Sequence, residues 1–424
     1  MSGPGAVRLV VLRLFWGGLA GKVLGLLREV LLAAAYGTGA PADAARVAQT
    51  ATLSPANFFV ADTLVAGFLP LHGALLREDP ARAAVLFHAV RRVLGGLSLV
   101  LAAALLLLAP QAVALLAPGL APRTAATAAA FLQVMALGVP SYVHFALLSY
   151  LEASHGSYRL SSVRPTGQNV GTVGGLLLAW WLSSPVLLAW GFTAGYLVLH
   201  AWAAASLRRR GLVPAPPPGP ARAEVRELLG LLWVRVRPLV LLPVVLHGSV
   251  VVERRIGSAM GPGVVAAVDY ARFVADTGVA LVAVPLGFAG LAVLGVGAEA
   301  DARARLERLL PAVLVVVVPV SVLLAARSTD VVELLYGHGA FGAAAVATAG
   351  PVLAGFAVGF WAQVVAYVLV KALNARDRNG AAARALVAGL AAGVALTAAL
   401  HDALGPVVLG LAGSLSALVT AVVA

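Results

Sequence analysis

Apolar residues in this chain gather in blocks far longer than the buried stripe of a soluble helix. A helix that crosses a bilayer takes about 20 predominantly apolar residues. On that length the pattern predicts roughly twelve spans, near 9–35, 44–74, 86–117, 124–152, 161–182, 186–206, 229–252, 264–297, 309–326, 343–373, 381–400 and 404–423. The segments between them are short, and no soluble domain is left over. Pro214-Ala215-Pro216-Pro217-Pro218-Gly219-Pro220 cannot continue a helix and reads as an extended linker. The expected fold class is therefore an all-α integral membrane protein with its transmembrane helices in two six-helix lobes. Residues 1–210 form the N-terminal lobe, 211–222 the Pro-rich cytoplasmic linker and 223–424 the C-terminal lobe.

The polar positions inside the apolar blocks carry the functional information. Gly21-Lys22-Val23-Leu24-Gly25-Leu26-Leu27-Arg28-Glu29 places Lys22, Arg28 and Glu29 in an otherwise lipid-soluble run. A charge near the bilayer centre costs about 2.5 to 3.5 kcal/mol on insertion scales, so it must face a partner or a wet cavity. Arg28 has two readings: a helix end snorkelling to the interface, or a fixed guanidinium for an anionic group, with Glu29 or Asp43 as counter-ion. Guanidinium suits the second because it stays charged and grips phosphate with two parallel bonds. Lys22 lies deeper in the span, offset around the helix, and can border the same cavity. After the turn Tyr36-Gly37-Thr38-Gly39-Ala40-Pro41, Asp43 and Arg46 share one helix face at i, i+3, and Asp269 and Arg272 repeat that spacing. Each pair reads either as an ion pair at a helix start or as a cavity group. Asp62 and Asp276 are further acids at membrane depth that could take a proton or a cation, while Arg235 and Arg237 suit an interface. Gly67, Pro70, Pro140, Pro243 and Pro285 interrupt spans, as in the bent helices around transporter sites.

Composition narrows the class. Hydrophobic residues are 61% and charged residues 11% of the chain, against about 45–50% and 25% in soluble domains. The net charge of +12 would suggest nucleic acid in a soluble protein. Here most arginines fall in short loops, where topology and anionic headgroups account for them. Arg77, Arg82, Arg91, Arg92, Arg159, Arg164, Arg208, Arg209, Arg210, Arg222, Arg226, Arg303, Arg305, Arg308, Arg376, Arg378 and Arg384 fall on one side. Arg123, Arg254, Arg255 and Arg327 fall on the other. That bias puts both termini in the cytoplasm, with Arg254 and Arg255 as the main exception. Arg8 and Arg13 hold the start of the first helix inside, and that helix reads as a permanent span, not a cleaved signal. With no cysteine, disulfides and thiol chemistry are excluded. Gly21-Lys22 is followed by Val23, so it is no phosphate-binding loop. The histidines lack ligand spacing, and His144, His200 and His247 read as packing or cavity residues. No catalytic residue, metal or cofactor is expected.

Two weak internal correspondences support a duplicated six-helix unit. Gly37-Thr38-Gly39 with Asp43-Ala44-Ala45-Arg46 answers Gly261-Pro262-Gly263 with Asp269-Tyr270-Ala271-Arg272. Leu151-Glu152-Ala153-Ser154-His155 answers Lys371-Ala372-Leu373-Asn374-Ala375. Such repeats are typical of transporters with a site between the halves.

A family resemblance runs through the whole chain in order. Val23-Leu24-Gly25-Leu26-Leu27-Arg28-Glu29, Tyr36-Gly37-Thr38-Gly39, Ala42-Asp43-Ala44 and Phe68-Leu69-Pro70 resemble the opening of the MurJ (MviN) family, lipid II flippases of the MOP exporter superfamily. Leu116-Ala117-Pro118-Gly119, Leu147-Leu148-Ser149 with Ala153-Ser154-His155-Gly156, Asp269-Tyr270-Ala271-Arg272, Leu334-Leu335-Tyr336-Gly337-His338-Gly339-Ala340-Phe341 and Ala372-Leu373-Asn374-Ala375-Arg376-Asp377 are similar to later stretches of the same family. The resemblance implies a MOP/MATE-like fold. It puts the family's first-span Arg-Asp on Arg28-Glu29, its earlier basic residue on Lys22 and its second-span Asp on Asp43. The chain departs in three places. The family's second-span Arg pair falls on Ala56-Asn57. The Arg of its Y-A-D-R stretch falls on Phe273, with Arg272 one position early. The resemblance would lead to two further spans after the twelfth, and the sequence ends before them.

The expected function is thus a flippase that carries a polyprenyl-diphosphate saccharide, lipid II in particular, to the outer leaflet of the bacterial cytoplasmic membrane by alternating access. The expected substrate-binding residues are Lys22, Arg28, Glu29, Asp43, Arg46 and Arg272, and the expected gate is Asp43 with Asp269. The expected partners are the lipid-linked substrate and membrane lipids, not nucleic acid, with the protein a monomer. The drive is a coupling cation or the membrane potential, worth about 2.3 kcal/mol per charge per 100 mV. The alternatives are a flippase for another lipid-linked oligosaccharide, a cation-coupled MATE-type exporter, which would favour an acidic, aromatic cavity, and a membrane enzyme on the same lipid carrier, against which the missing acidic and His loop motifs argue.

Overall fold

The computed structural model describes the backbone at residues 4–219, 221–237, 241–294, 299–376 and 378–424. Side chains are described from residue 18 onward, except at 59, 61–63, 66, 241–245, 284–294 and 299–306. The side chains of Arg8, Arg13, Asp62, Pro243, Pro285, Arg303 and Arg305, and residue Asp377, lie outside the described residues.

Among the described residues each expected span is helical apart from short breaks, and there are 18 α-helices, one π turn and no strand. The first half runs α1 (Pro4–Tyr36), α2 (Ala40–Thr63), a π turn (Leu64–Phe68), α3 (Leu69–Glu78), α4 (Pro80–Leu107), α5 (Ala109–Leu116), α6 (Pro122–Ala136), α7 (Val139–Ser154), α8 (Arg159–Trp181) and α9 (Leu187–Arg209). The second runs α10 (Arg222–Val236), α11 (Leu241–Ala259), α12 (Val264–Leu294), α13 (Glu299–Ala326), α14 (Ser328–Tyr336), α15 (Ala343–Val358), α16 (Phe360–Ala375), α17 (Asn379–Leu404) and α18 (Val407–Val423). The same order of elements occurs twice. In each half a long third helix is followed by a short one, α5 or α14. In each half the fourth span is broken: α6 and α7 meet at 46°, α15 and α16 at 48°. A pair of helices then closes the half. α4, α9, α17 and the Glu307–Ala326 part of α13 are each long and apolar enough to cross a bilayer alone, and each bent pair is so when taken together. α18 is apolar throughout but only 17 residues long, while charges interrupt α1 and α2, as expected of helices that line polar cavities.

The breaks have local causes. Pro70 has no N–H and its ring crowds the carbonyl four residues back, so the helix around it cannot keep regular bonding. The extra residue of the π turn just before it absorbs that conflict. Gly67 in this turn lets α10 approach, because a Cβ there would lie 2.9 Å from Leu232 Cδ1. α8 and α9 pack through glycines four residues apart. A Cβ on Gly171 would sit 2.6 Å from Gly195 Cα, and one on Gly175 2.5 Å from Gly191 Cα. Small residues at this spacing let two backbones touch where lipid gives no hydrophobic drive for association.

Contacts gather the chain into two compact units. One comprises Met1–Leu31, Val47–Ala114 and Ala125–His247; the other comprises Leu32–Arg46, Leu115–Thr124 and Gly248–Ala424. In the first, α7 packs against α4, α8 and α9, and α10 lies against α4 and the π turn. In the second, α18 packs against α15, α16 and α17, and α12 against α15 and α16.

Candidate functional site

In the first unit, α1 presents its charges to α8. Gly21 brings the backbones together, since a Cβ on it would lie 2.5 Å from Pro165 Cβ. One turn beyond Pro165, the Asn169 amide bridges the two helices. Its Nδ2 donates to Gly21 O at 2.8 Å, and its Oδ1 accepts from Arg28 Nη1 at 3.0 Å. Arg28 Nε donates to Glu29 Oε1 at 3.1 Å. Glu29 is buried, and the Arg28 side chain keeps 15% of its surface exposed. The guanidinium is thus held by a neutral amide and a carboxylate while part of it stays reachable. Lys22, half-buried on the same helix, makes no ion pair among the described residues.

Arg164 corrects the sequence reading, which counted it as a loop charge. It lies in the second turn of α8, donates from Nη2 to Tyr142 Oη at 2.7 Å and stacks on the Tyr142 ring at 5.0 Å. Tyr142 in turn donates to Asn57 Oδ1, and its ring meets Tyr196 edge-on at 4.9 Å. Tyr196 lies within electrostatic range of both Arg164 and Arg28. Neither Asn169 nor Tyr142 stood out in the sequence, because a lone amide or phenol in a span carries no periodic signal.

In the second unit the turns and acids singled out in the sequence come together. Asp43 Oδ2 accepts from Gly263 N at 2.7 Å and Oδ1 from Ala266 N at 2.8 Å, so Asp43 caps the start of α12. Gly263 is required here. Its φ is +82°, and a Cβ would lie 2.6 Å from Thr38 O. The α1–α2 turn is tied down further by Ala340 N donating to Ala34 O at 2.8 Å and Tyr270 Oη to Gly37 O at 3.1 Å.

The two Asp-x-x-Arg pairs meet through Arg46 and Asp269, while Asp43 holds backbone N–H groups and Arg272 holds Glu253. Arg46 Nε lies 3.5 Å from Asp269 Oδ2, and the Arg46 guanidinium lies over the Tyr270 ring at 5.2 Å. Arg254 Nη2 reaches both Asp269 oxygens, at 2.7 and 2.8 Å. Arg272 pairs with Glu253 and lies over the Phe356 ring at 5.2 Å. Arg254 was read as an outer-loop exception to the charge bias. It is a buried residue of α11, and Asp269 is the reason a cation is tolerated there. Glu253 was missed, since one acid near a helix end is unremarkable in sequence. Two cavities of about 110 and 340 Å³ share Arg272 and Phe356 in their walls; the larger also takes in Asp276 and Gln363.

A nearly all-helical chain with two like halves, broken fourth spans and ion pairs buried among its helices has the build of a multi-pass membrane protein. Two solved structures share its fold. One titled "Lipid II flippase MurJ, inward closed conformation" superposes with a TM-score of 0.84 at 17% identity, over 97% of this chain and 86% of that one. A multidrug resistance MATE family transporter in an inward-facing conformation superposes at 0.77 and 13% identity, over 95% of this chain and 92% of that one. The family profile described as "Lipid II flippase MurJ" matches residues 32–424. A "Probable lipid II flippase MurJ" of Synechocystis sp. is 29% identical over 384 residues, which is 84% of this chain and 69% of that protein. This chain belongs to the lipid II flippase MurJ family.

Proposed function

We propose that this protein flips a polyprenyl-diphosphate-linked saccharide, the peptidoglycan precursor lipid II, from the inner to the outer leaflet of the bacterial cytoplasmic membrane, and so serves cell wall biogenesis and cell shape. The observation that carries the reading is Arg28, a fixed and partly exposed guanidinium in the first span of a chain of this family. Held this way, it meets a diphosphate without first losing side-chain freedom. Both termini are cytoplasmic, the protein acts as a monomer, and it moves its substrate without covalent chemistry. The two six-helix lobes, 1–210 and 223–424, rock about the linker 211–222, and the cavity opens to each side in turn. Lys22, Arg28, Glu29, Asp43, Arg46 and Arg272 bind the substrate, and Asp43 and Asp269 act as the gate. Membrane potential or a coupling cation drives the return.

The test is complementation of a strain depleted of its own lipid II flippase. The chain should restore growth, and Arg28→Ala, inserted at normal level, should not. Normal growth on a well-expressed Arg28→Ala protein removes Arg28 from the site. Failure of the unaltered chain, with rescue of a strain lacking a different lipid-linked oligosaccharide flippase, favours the second reading. That reading is suggested by Ala56-Asn57, which stands where an Arg pair is expected.

A further inference from the structure

We infer that Arg164 is a second phosphate-binding residue, and that with Arg28 it forms a diphosphate subsite carried wholly by the first unit. The inference rests on the proposed flippase reading and names a residue of that site.

The argument begins with charge. Arg28, Arg46, Arg254 and Arg272 each meet a carboxylate: Glu29, Asp269, Asp269 and Glu253. Arg210 at the end of α9 meets the buried Glu152. Arg164 differs. Among the described residues, the groups that act on it electrostatically are Tyr142, Tyr196 and Tyr150, and its hydrogen bonds go to phenols. Arg164 is half-buried, and partial burial strips from a guanidinium hydration that neutral hydroxyls do not fully return. The phenols position the side chain, and among the described residues no carboxylate meets its charge. An anionic ligand is what completes such a site.

Placement gives the class of ligand. Asn169 lies five residues after Arg164 on α8 and holds Arg28 at 3.0 Å. Tyr196 is in electrostatic range of both guanidinium groups. Two cations steadied by one helix and one tyrosine suit a ligand with two adjacent negative groups, a lipid-linked diphosphate, better than a single phosphate. The Asn57 amide, reached through Tyr142, fixes the phenol and hence the Arg164 plane. Asn57 and Tyr142 are positioning residues here, and Arg164 is the binding residue.

The experiment uses the full-length protein, purified in detergent, and native mass spectrometry with lipid II, undecaprenyl monophosphate and undecaprenol. Arg164→Gln should weaken lipid II binding at least about tenfold, the scale of one lost hydrogen bond to a charged group. It should bring lipid II close to the monophosphate and leave undecaprenol unchanged. Arg164→Lys should recover part of the loss. Equal lipid II binding by Arg164→Gln and the unaltered protein overturns the inference. No lipid II binding by the unaltered protein overturns instead the flippase reading beneath it. Should Arg164→Gln not fold, the unaltered protein decides. Lipid II should slow modification of Arg164 by phenylglyoxal, read by peptide mass spectrometry, and undecaprenol should not. Labelling that is equal with either lipid overturns the assignment.

Discussion

Asp269→Asn gives the sharpest view of the proposed gate. Its carboxylate takes two contacts from Arg254 Nη2, at 2.7 and 2.8 Å, and lies 3.5 Å from Arg46 Nε. The three side chains are 14%, 9% and 7% exposed, so water screens them little. Arg46, Arg254 and Arg272 lie here among the carboxylates of Asp269, Asp43, Glu253 and Asp276. Removing the Asp269 charge takes from Arg254 and Arg46 the carboxylate that both contact, in a place with little water. Breaking a buried pair by removing one partner is destabilising by about 3 to 5 kcal/mol. The Asn carbonyl still accepts one bond from Arg254, so about 3 kcal/mol is the working figure, roughly 150-fold in an equilibrium constant.

The gate reading places that loss in the outward-closed state alone, so the open population rises. Ala42, fully buried beside Asp43, reports on it: a cysteine there is the only thiol in the chain. In purified protein, maleimide labelling of Ala42→Cys should speed up at least about tenfold with Asp269→Asn, because the rate follows the open fraction. The same change at the exposed Arg327–Asp330 pair, Asp330→Asn, should leave the rate alone. Unchanged labelling together with a lowered melting temperature would refute the gate. The cluster would then only brace its own unit.

Two further outcomes test topology and packing. Ala215→Cys, in the exposed linker, should resist an impermeant thiol reagent in intact cells and react after permeabilisation; labelling from outside inverts the orientation. Gly191→Leu should lower the melting temperature, since Gly175 Cα lies 2.7 Å from where its Cβ would stand and overpacking costs about 1 to 3 kcal/mol. Gly174→Ala, with open space around its Cβ, is the matched control, and an equal fall in both would show that the α8–α9 contact is not what the glycines serve.

The sequence by itself determined the helices, the membrane, the family and the unusual residues. Burying backbone in lipid forces long apolar helices, and a charge inside one is too costly to be incidental. Lys22, Arg28, Glu29, Asp43, Arg46, Asp269 and Arg272 therefore stand out without any structure. The tertiary structure decided their partners. Arg28 is held by Asn169, 141 positions away. Asp43 caps a helix that begins 221 residues later, at Val264. Asp269, three residues before Arg272 and on its helix face, is grasped by Arg254 and Arg46. Helical spacing shows which residues share a face, but not which other helix that face will meet. That choice is made by close backbone approaches, such as Gly21 on Pro165 and Gly263 on Thr38, where the absence of a side chain lets two distant segments come near enough for their charges to pair.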